Sequence, residues 1–178
     1  MTELLQEIFK SGMVFAVMGA AAAVILPGIG SAIGIGYTAS ASAGVMTEDP
    51  RNFGKYLILV ALPGTQGIYG FVAAFLVIMN LGLISSDTAK VVIDNMSRGQ
   101  GLQVMYSCLP IAFAGLVSAI HQGRVCAAGV GLTAKQPAES GKALVFGVFV
   151  EFYAVLGLIV TIFLLQAVTT AITASLPG

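Results

Sequence analysis

Glu151 stands alone as an acid inside a largely apolar stretch, Ala143 to Leu165. At membrane depth a carboxylate costs roughly 2.5 to 3.5 kcal/mol even on the lenient insertion scale, so an acid kept there points to function. Polar side chains on other segments stand at its level. Counted from the turn prolines, Gln66 is 16 residues past Pro50, Glu151 is 14 past Pro137, and Gln122 is 15 before Pro137. At a rise of 1.5 Å per residue these three lie about 21–24 Å from the same side. Thr65 adjoins Gln66, and Tyr69 is one turn deeper. Pro63 has no N–H and interrupts the helical ladder, while Gly64 tolerates distortion. Loosened carbonyls and neutral oxygens around one carboxylate suit a dehydrated hard cation, a use that transporters make of broken helices. Taken singly, Gln66 and Gln122 read equally well as amides stapling helices together, at about 1 kcal/mol each. Their shared depth with Thr65 and Glu151 favours ligands.

The elements that must position these groups are helices in lipid. The chain has 178 residues, 57% hydrophobic and 9% charged; soluble domains carry about 25% charged residues. Its net charge is zero, which gives no basic surface for nucleic acid. Four apolar stretches, 12–46, 53–83, 102–133 and 140–172, each exceed the ~20 residues that a spanning helix needs. Two short turns, 47–53 and 134–140, and a polar linker, 85–101, separate them. The expected organisation is an N-terminal tail (1–11), hairpin 1 (12–84), the linker (85–101), hairpin 2 (102–172) and a C-terminal tail (173–178). The tail carries Glu3 and Glu7 without a basic n-region, so no cleavable signal peptide is expected. Cys108 and Cys126 lie five turns apart on one helix, about 27 Å along its axis. That distance rules out a bridge between them within the helix, so both read as small apolar packers.

A shift of 87 residues superposes the halves without a gap: Gly28, Ser31, Gly36, Pro50, Lys55 and Gly70 fall on Gly115, Ser118, Gly123, Pro137, Lys142 and Gly157. Two spans separate equivalent positions, so both copies run in the same direction and are not an inverted repeat. The position matching Glu151 is Gly64, which leaves one carboxylate per four helices. Span 1 repeats Gly28, Ala32, Gly36, Ser40 and Gly44; span 3 repeats Gly115, Ala119, Gly123, Ala127 and Gly131. Small residues at spacing four let helices approach closely in lipid, so spans 1 and 3 are expected inside and the bulkier spans 2 and 4 outside. The glycine run Gly28–Gly36 is no nucleotide fingerprint, because no strand precedes it. Arg51, Lys55, Arg124, Lys135 and Lys142, assigned to the turns and helix ends, outnumber Lys10, Lys90 and Arg98, which favours cytoplasmic turns.

The stretch Leu62-Pro-Gly-Thr-Gln-Gly-Ile-Tyr-Gly-Phe71, with His121-Gln122-Gly123 and Val150-Glu151-Phe152-Tyr153, resembles the rotor-ring proteolipid (the K-type or c-type subunit) of V-type ATPases, in particular the bacterial sodium-translocating form. The resemblance runs from about Gly12 to Gln166. It implies an all-α membrane protein, four transmembrane helices in two tandem hairpins, assembling into a closed ring of identical copies. It implies no enzyme activity in the chain itself. Glu151 would carry one Na+, with Thr65, Gln66, Gln122 and the Leu62 carbonyl as further ligands, and Tyr69 would hold the carboxylate by a hydrogen bond. The implied partners are an arginine-bearing stator subunit, central stalk subunits at the cytoplasmic turns, and membrane lipid. The cell membrane is the implied location, with both termini opposite the turns. The 85–101 linker is long for that family, and a short tail follows the last span.

Other readings compete. The same rotor carrying protons needs only the carboxyl and one hydrogen-bond partner. A structural or pore-forming four-helix protein needs no ion at all. His121 points about 100° away from Gln122 around the helix and receives no role. Arg124, Lys55 and Lys142 read as solvated charges at helix ends.

Overall fold

The computed structural model describes residues 11–48 and 50–175. The first ten residues, with Glu3, Glu7 and Lys10, lie outside the described residues, as do Asp49 and the last three residues of the C-terminal tail. Among the described residues the chain is helical with no strand. Helix α1 is Gly12–Met46; α2 is Phe53–Ala61; α3 is Thr65–Asn80; α4 is Ser86–Asn95; α5 is Arg98–Lys135; α6 is Ser140–Ser175. Four spans are long and apolar enough to cross a membrane: 12–46, 50–80, 98–135 and 137–175. The protein is a multi-pass membrane protein.

The second span is α2 and α3 joined by the 3₁₀ turn Leu62–Gly64, where Pro63 breaks the ladder as its missing N–H requires. Gly82, at φ 65°, ends this span, with its N–H and that of Leu83 closing back on Met79 and Ile78 carbonyls. Such a left-handed exit favours glycine. The polar linker then folds into α4, an element that the sequence pattern alone does not place. Val92 and Met96 are buried here beside Leu81 and Ile172, so the linker covers the end of the bundle remote from the turns. A capping box opens α5: the Ser97 N–H donates to Gln100 Oε1 at 2.8 Å, and the Gln100 N–H to Ser97 Oγ at 3.3 Å. Pro110 leaves a discontinuity deeper in α5, where the Ile111 N–H donates to Thr161 Oγ1 at 3.1 Å and ties α5 to α6.

Helices α1 and α5 are in backbone contact. A Cβ on Gly123 would collide with the backbone of Gly34, one on Gly30 with Leu116, and one on Gly19 with Met105. Close approach of the first and third spans thus follows from their small residues, but the face of α1 differs from the expected one. Gly19, Ala23, Pro27, Gly30, Gly34 and Thr38 are among its buried positions, whereas Ala32, Gly36, Ser40 and Gly44 are exposed. Small residues line two faces of α1, and spacing alone does not say which one meets α5. Spans 2 and 4 carry most of the exposed bulky apolar side chains, among them Phe71, Phe75, Phe149 and Phe163, as lipid contact requires. Cys108 and Cys126 are both free and buried. They belong to two separate apolar clusters: Cys108 with Ala73, Val77 and Ile111, Cys126 with Tyr56, Leu59 and Val130.

Candidate functional site

Between those clusters lies a polar layer. Gln66 on α3 and Gln122 on α5 are fully buried, and both amides are held in place by partners. Gln66 Nε2 donates to Gln122 Oε1 at 2.6 Å and approaches Ser118 Oγ at 3.4 Å. Gln122 Nε2 donates to the Gly147 carbonyl at 3.1 Å and to Glu151 Oε2 at 3.3 Å. On the other oxygen of Glu151, Oε1 accepts from the Tyr69 hydroxyl at 2.5 Å. Three spans are thereby joined in one chain, Tyr69–Glu151–Gln122–Gln66. Both carboxylate oxygens act as acceptors, which is what an ionised carboxylate can do.

The 3₁₀ turn supplies the remaining oxygens. Thr65 Oγ1 donates to the Leu62 carbonyl at 2.9 Å and lies 3.4 Å from Gln66 Oε1. Leu62, Thr65, Gln66, Tyr69, Gln122 and Glu151 therefore fall in one neighbourhood, while His121 faces away on an exposed surface. A single carboxylate among neutral oxygens leaves one negative charge, which one monovalent cation balances; a divalent ion would leave the burial cost of a second charge unmet.

Serines that sequence reasoning gave no role complete the frame. Ser118 Oγ donates to the Val150 carbonyl at 2.8 Å, and Ser31 Oγ accepts the Gly67 N–H at 2.9 Å. The 87-residue shift pairs these two serines, and Ser118 sits one turn from Gln122 on the same face; either signal marks them. The basic residues also separate. Lys142 pairs with Glu139 at 2.6 Å and Lys55 Nζ donates to the Pro137 carbonyl at 2.8 Å, both near the turns. Arg124 is no helix-end charge: it lies well inside α5, its guanidinium 5.7 Å from the centre of the Tyr37 ring.

Known proteins resemble this chain along most of its length. The family model for the C subunit of ATP synthase matches twice, over residues 18–77 and 105–164, and the two matches are offset by the same 87 residues. Similar proteins include the V-type sodium ATPase subunit K of Enterococcus hirae, 48% identical over 87% of this chain and 92% of that protein. The A-type ATP synthase subunit K of Methanocaldococcus jannaschii is 38% identical over 88% of this chain and 64% of its own length. The 16 kDa proteolipid of the human V-type proton ATPase is 31% identical, with 84% and 90% covered.

Proposed function

The chain belongs to the family of the ATP synthase C subunit, and from that premise we propose that it is the ion-carrying rotor subunit of a V-type ATPase, binding one Na+ per copy at Glu151. The observation that carries the reading is the hydrogen-bonded chain from Tyr69 through Glu151 and Gln122 to Gln66, ending beside the Thr65 and Leu62 oxygens. The name of the 48% identical relative, a sodium ATPase subunit, supports sodium as cargo.

In this reading Na+ takes oxygens from Leu62, Thr65, Gln66, Gln122 and Glu151. Tyr69 keeps the carboxylate turned inward. A bare carboxylate facing hydrocarbon is too costly to move through lipid, whereas a filled site is neutral. Rotation then carries the loaded copy to a stator subunit, whose arginine displaces the ion. Gly64 stands where a second carboxylate would be, so each four-helix copy carries one ion, and ATP energy divided among fewer ions per turn drives each against a steeper gradient. The hydrolysis itself belongs to partner subunits, reached through a central stalk at the turns. Arg51, Lys55, Lys135 and Lys142 lie near the turns against Lys90 and Arg98 on the other side, which supports cytoplasmic turns and termini opposite.

The test is carbodiimide labelling of Glu151 in the purified ring, with sodium titrated at fixed pH. Carbodiimides attack a protonated carboxyl in an apolar setting. Protection by sodium, at pH values where the empty site labels, is the expected result. Labelling that follows pH and ignores sodium would make the cargo a proton and leave Gln66 and Gln122 as helix staples.

A further inference from the structure

The seam between α5 and α6 sets glycines against small side chains. A Cβ on Gly129 would lie 2.8 Å from that of Ala143, and one on Gly157 would lie 2.8 Å from that of Ala114. Beside the polar layer the pattern changes. A Cβ on Gly147 would lie 3.0 Å from Cys126 Sγ and 3.0 Å from Leu62 Cδ1, so this glycine meets side chains of two other spans at once. Sulfur is larger than a methyl carbon, and both separations are shorter than atoms in ordinary contact keep. Cys126 is fully buried, and Leu62 packs with it against Tyr56, Leu59 and Val130.

Each member of this junction lies on the turn side of a site residue in its own span. Leu62 precedes Thr65 and Gln66, Cys126 follows Gln122 by one turn, and Gly147 precedes Glu151 by one turn. Backbone oxygens of the junction belong to the site. The Leu62 carbonyl accepts from Thr65 Oγ1 at 2.9 Å, and the Gly147 carbonyl accepts from Gln122 Nε2 at 3.1 Å. In the helical ladder the Gly147 carbonyl also receives the Glu151 N–H. The shift of 87 carries Gly147, Cys126 and Leu62 to Val60, Ala39 and Phe149. Val60 and Ala39 border an open groove of about 180 Å³, and Phe149 is 60% exposed. Within the chain the junction therefore closes beside the carboxylate and stays open at its image.

We propose that Gly147 is a positioning residue that sets the size of the cation cage. Its missing side chain lets Leu62 and Cys126 close against α6, which draws the Leu62 carbonyl toward Glu151 and fixes the Gln122 amide. This rests on the sodium reading and adds a basis for choosing among alkali cations, because cavity size helps to separate one ion from another. A methyl at position 147 has to displace something. Helix α6 runs unbroken through Gly147, whereas the turn Leu62–Gly64 lacks the hydrogen bond of a Pro63 N–H. The turn yields first, the Leu62 carbonyl moves outward, and the cage widens toward a larger ion. Removing the Cys126 sulfur instead lets Leu62 settle inward and tightens the cage.

The experiment titrates Li+, Na+ and K+ separately against carbodiimide labelling of Glu151 in the purified ring at one pH. Gly147→Ala should raise the half-protecting Na+ concentration and lower the ratio of the K+ value to the Na+ value roughly 10-fold. Cys126→Ala should move preference the other way, lowering the ratio of the Li+ value to the Na+ value about threefold. The double variant puts a methyl where the sulfur stood and should return both ratios toward those of the unaltered chain. A purely packing role for Gly147 would lower the melting temperature and leave the ratios alone, and that result overturns the proposal. A double variant no closer to the unaltered chain than Gly147→Ala also overturns it. Should Gly147→Ala give no ring, Cys126→Ala and the double variant decide: a Li+ to Na+ ratio unmoved in Cys126→Ala overturns the proposal. An unaltered chain that no alkali cation protects defeats the sodium reading and this inference with it. Protection of the unaltered chain with ratios unmoved in the variants defeats this inference alone.

Discussion

Hairpin 1 presents Gly64, Thr65 and Gln66 where hairpin 2 presents Glu151, Phe152 and Tyr153. Their scaffolds repeat one close contact, Gly70 on Ala23 and Pro27 matching Gly157 on Pro110 and Ala114, and a serine ties the two helices of each hairpin by a different bond: Ser31 accepts from the Gly67 N–H, and Ser118 donates to the Val150 carbonyl. Their backbones differ where it matters for an ion. The outer span of hairpin 1 is broken at Leu62–Gly64, while α6 runs unbroken from Ser140 to Ser175 through Glu151. One copy of the repeat therefore offers neutral oxygens on loosened backbone, and the other offers charge on a rigid rod. A duplicated scaffold can divide a site between its halves without changing how the halves pack.

That division predicts a graded set of losses. Glu151→Gln removes the charge and should reduce ATP-driven sodium uptake to background; residual sodium-coupled uptake would place the charge elsewhere. Gln122→Leu strips a donor from the carboxylate and leaves Gln66 Nε2 with Ser118 alone. Losing a hydrogen bond to a charged group costs about 1.5–3 kcal/mol, so the sodium concentration giving half protection from carbodiimide should rise roughly 10- to 100-fold. Unchanged turnover in that variant would favour a proton cargo. Tyr69→Phe removes one bond from the outer edge of the site and should weaken protection roughly 10-fold.

Two smaller effects sharpen the contrast between halves. Ser31→Ala and Ser118→Ala should each cost about 0.6–1 kcal/mol in thermal unfolding of the purified protein. Only the second should also weaken sodium binding, since Ser118 touches both Gln66 and Val150; equal effects on binding would mean that the halves share the site symmetrically. Gly64→Glu should change the sodium-protected stoichiometry least of all. A carboxyl introduced there faces Ile35 and lacks the neutral oxygens, so protected labelling should stay at one per chain. Two protected carboxyls per chain would overturn the division of roles.

Much of the site is legible in the sequence. Helical rise is fixed, so counting from Pro50 and Pro137 puts Gln66, Gln122 and Glu151 at one depth, and the structure joins them by hydrogen bonds. The break at Pro63 follows from a missing N–H. Azimuth is harder. Gly28 and Gly30 are both small, and only packing reveals that Gly30 meets α5. Helix α4 is hidden because a short polar segment is held by buried contacts at Val92 and Met96, which local sequence does not announce. Arg124 is misplaced by the assumption that a charge in a long apolar helix sits near its end.

The contact of Gly34 with Gly123 has a mechanical meaning for a part that turns under load. No flexible side chain lies between the two backbones there, and the Thr38 hydroxyl, 3.2 Å from the Gly34 carbonyl and 3.0 Å from that of Gly123, clamps the junction. A joint without a compressible layer has little elastic slack. Torque applied at Glu151 would pass from one hairpin to the other with little wind-up, so the two hairpins of one chain should rotate as a single stiff tooth.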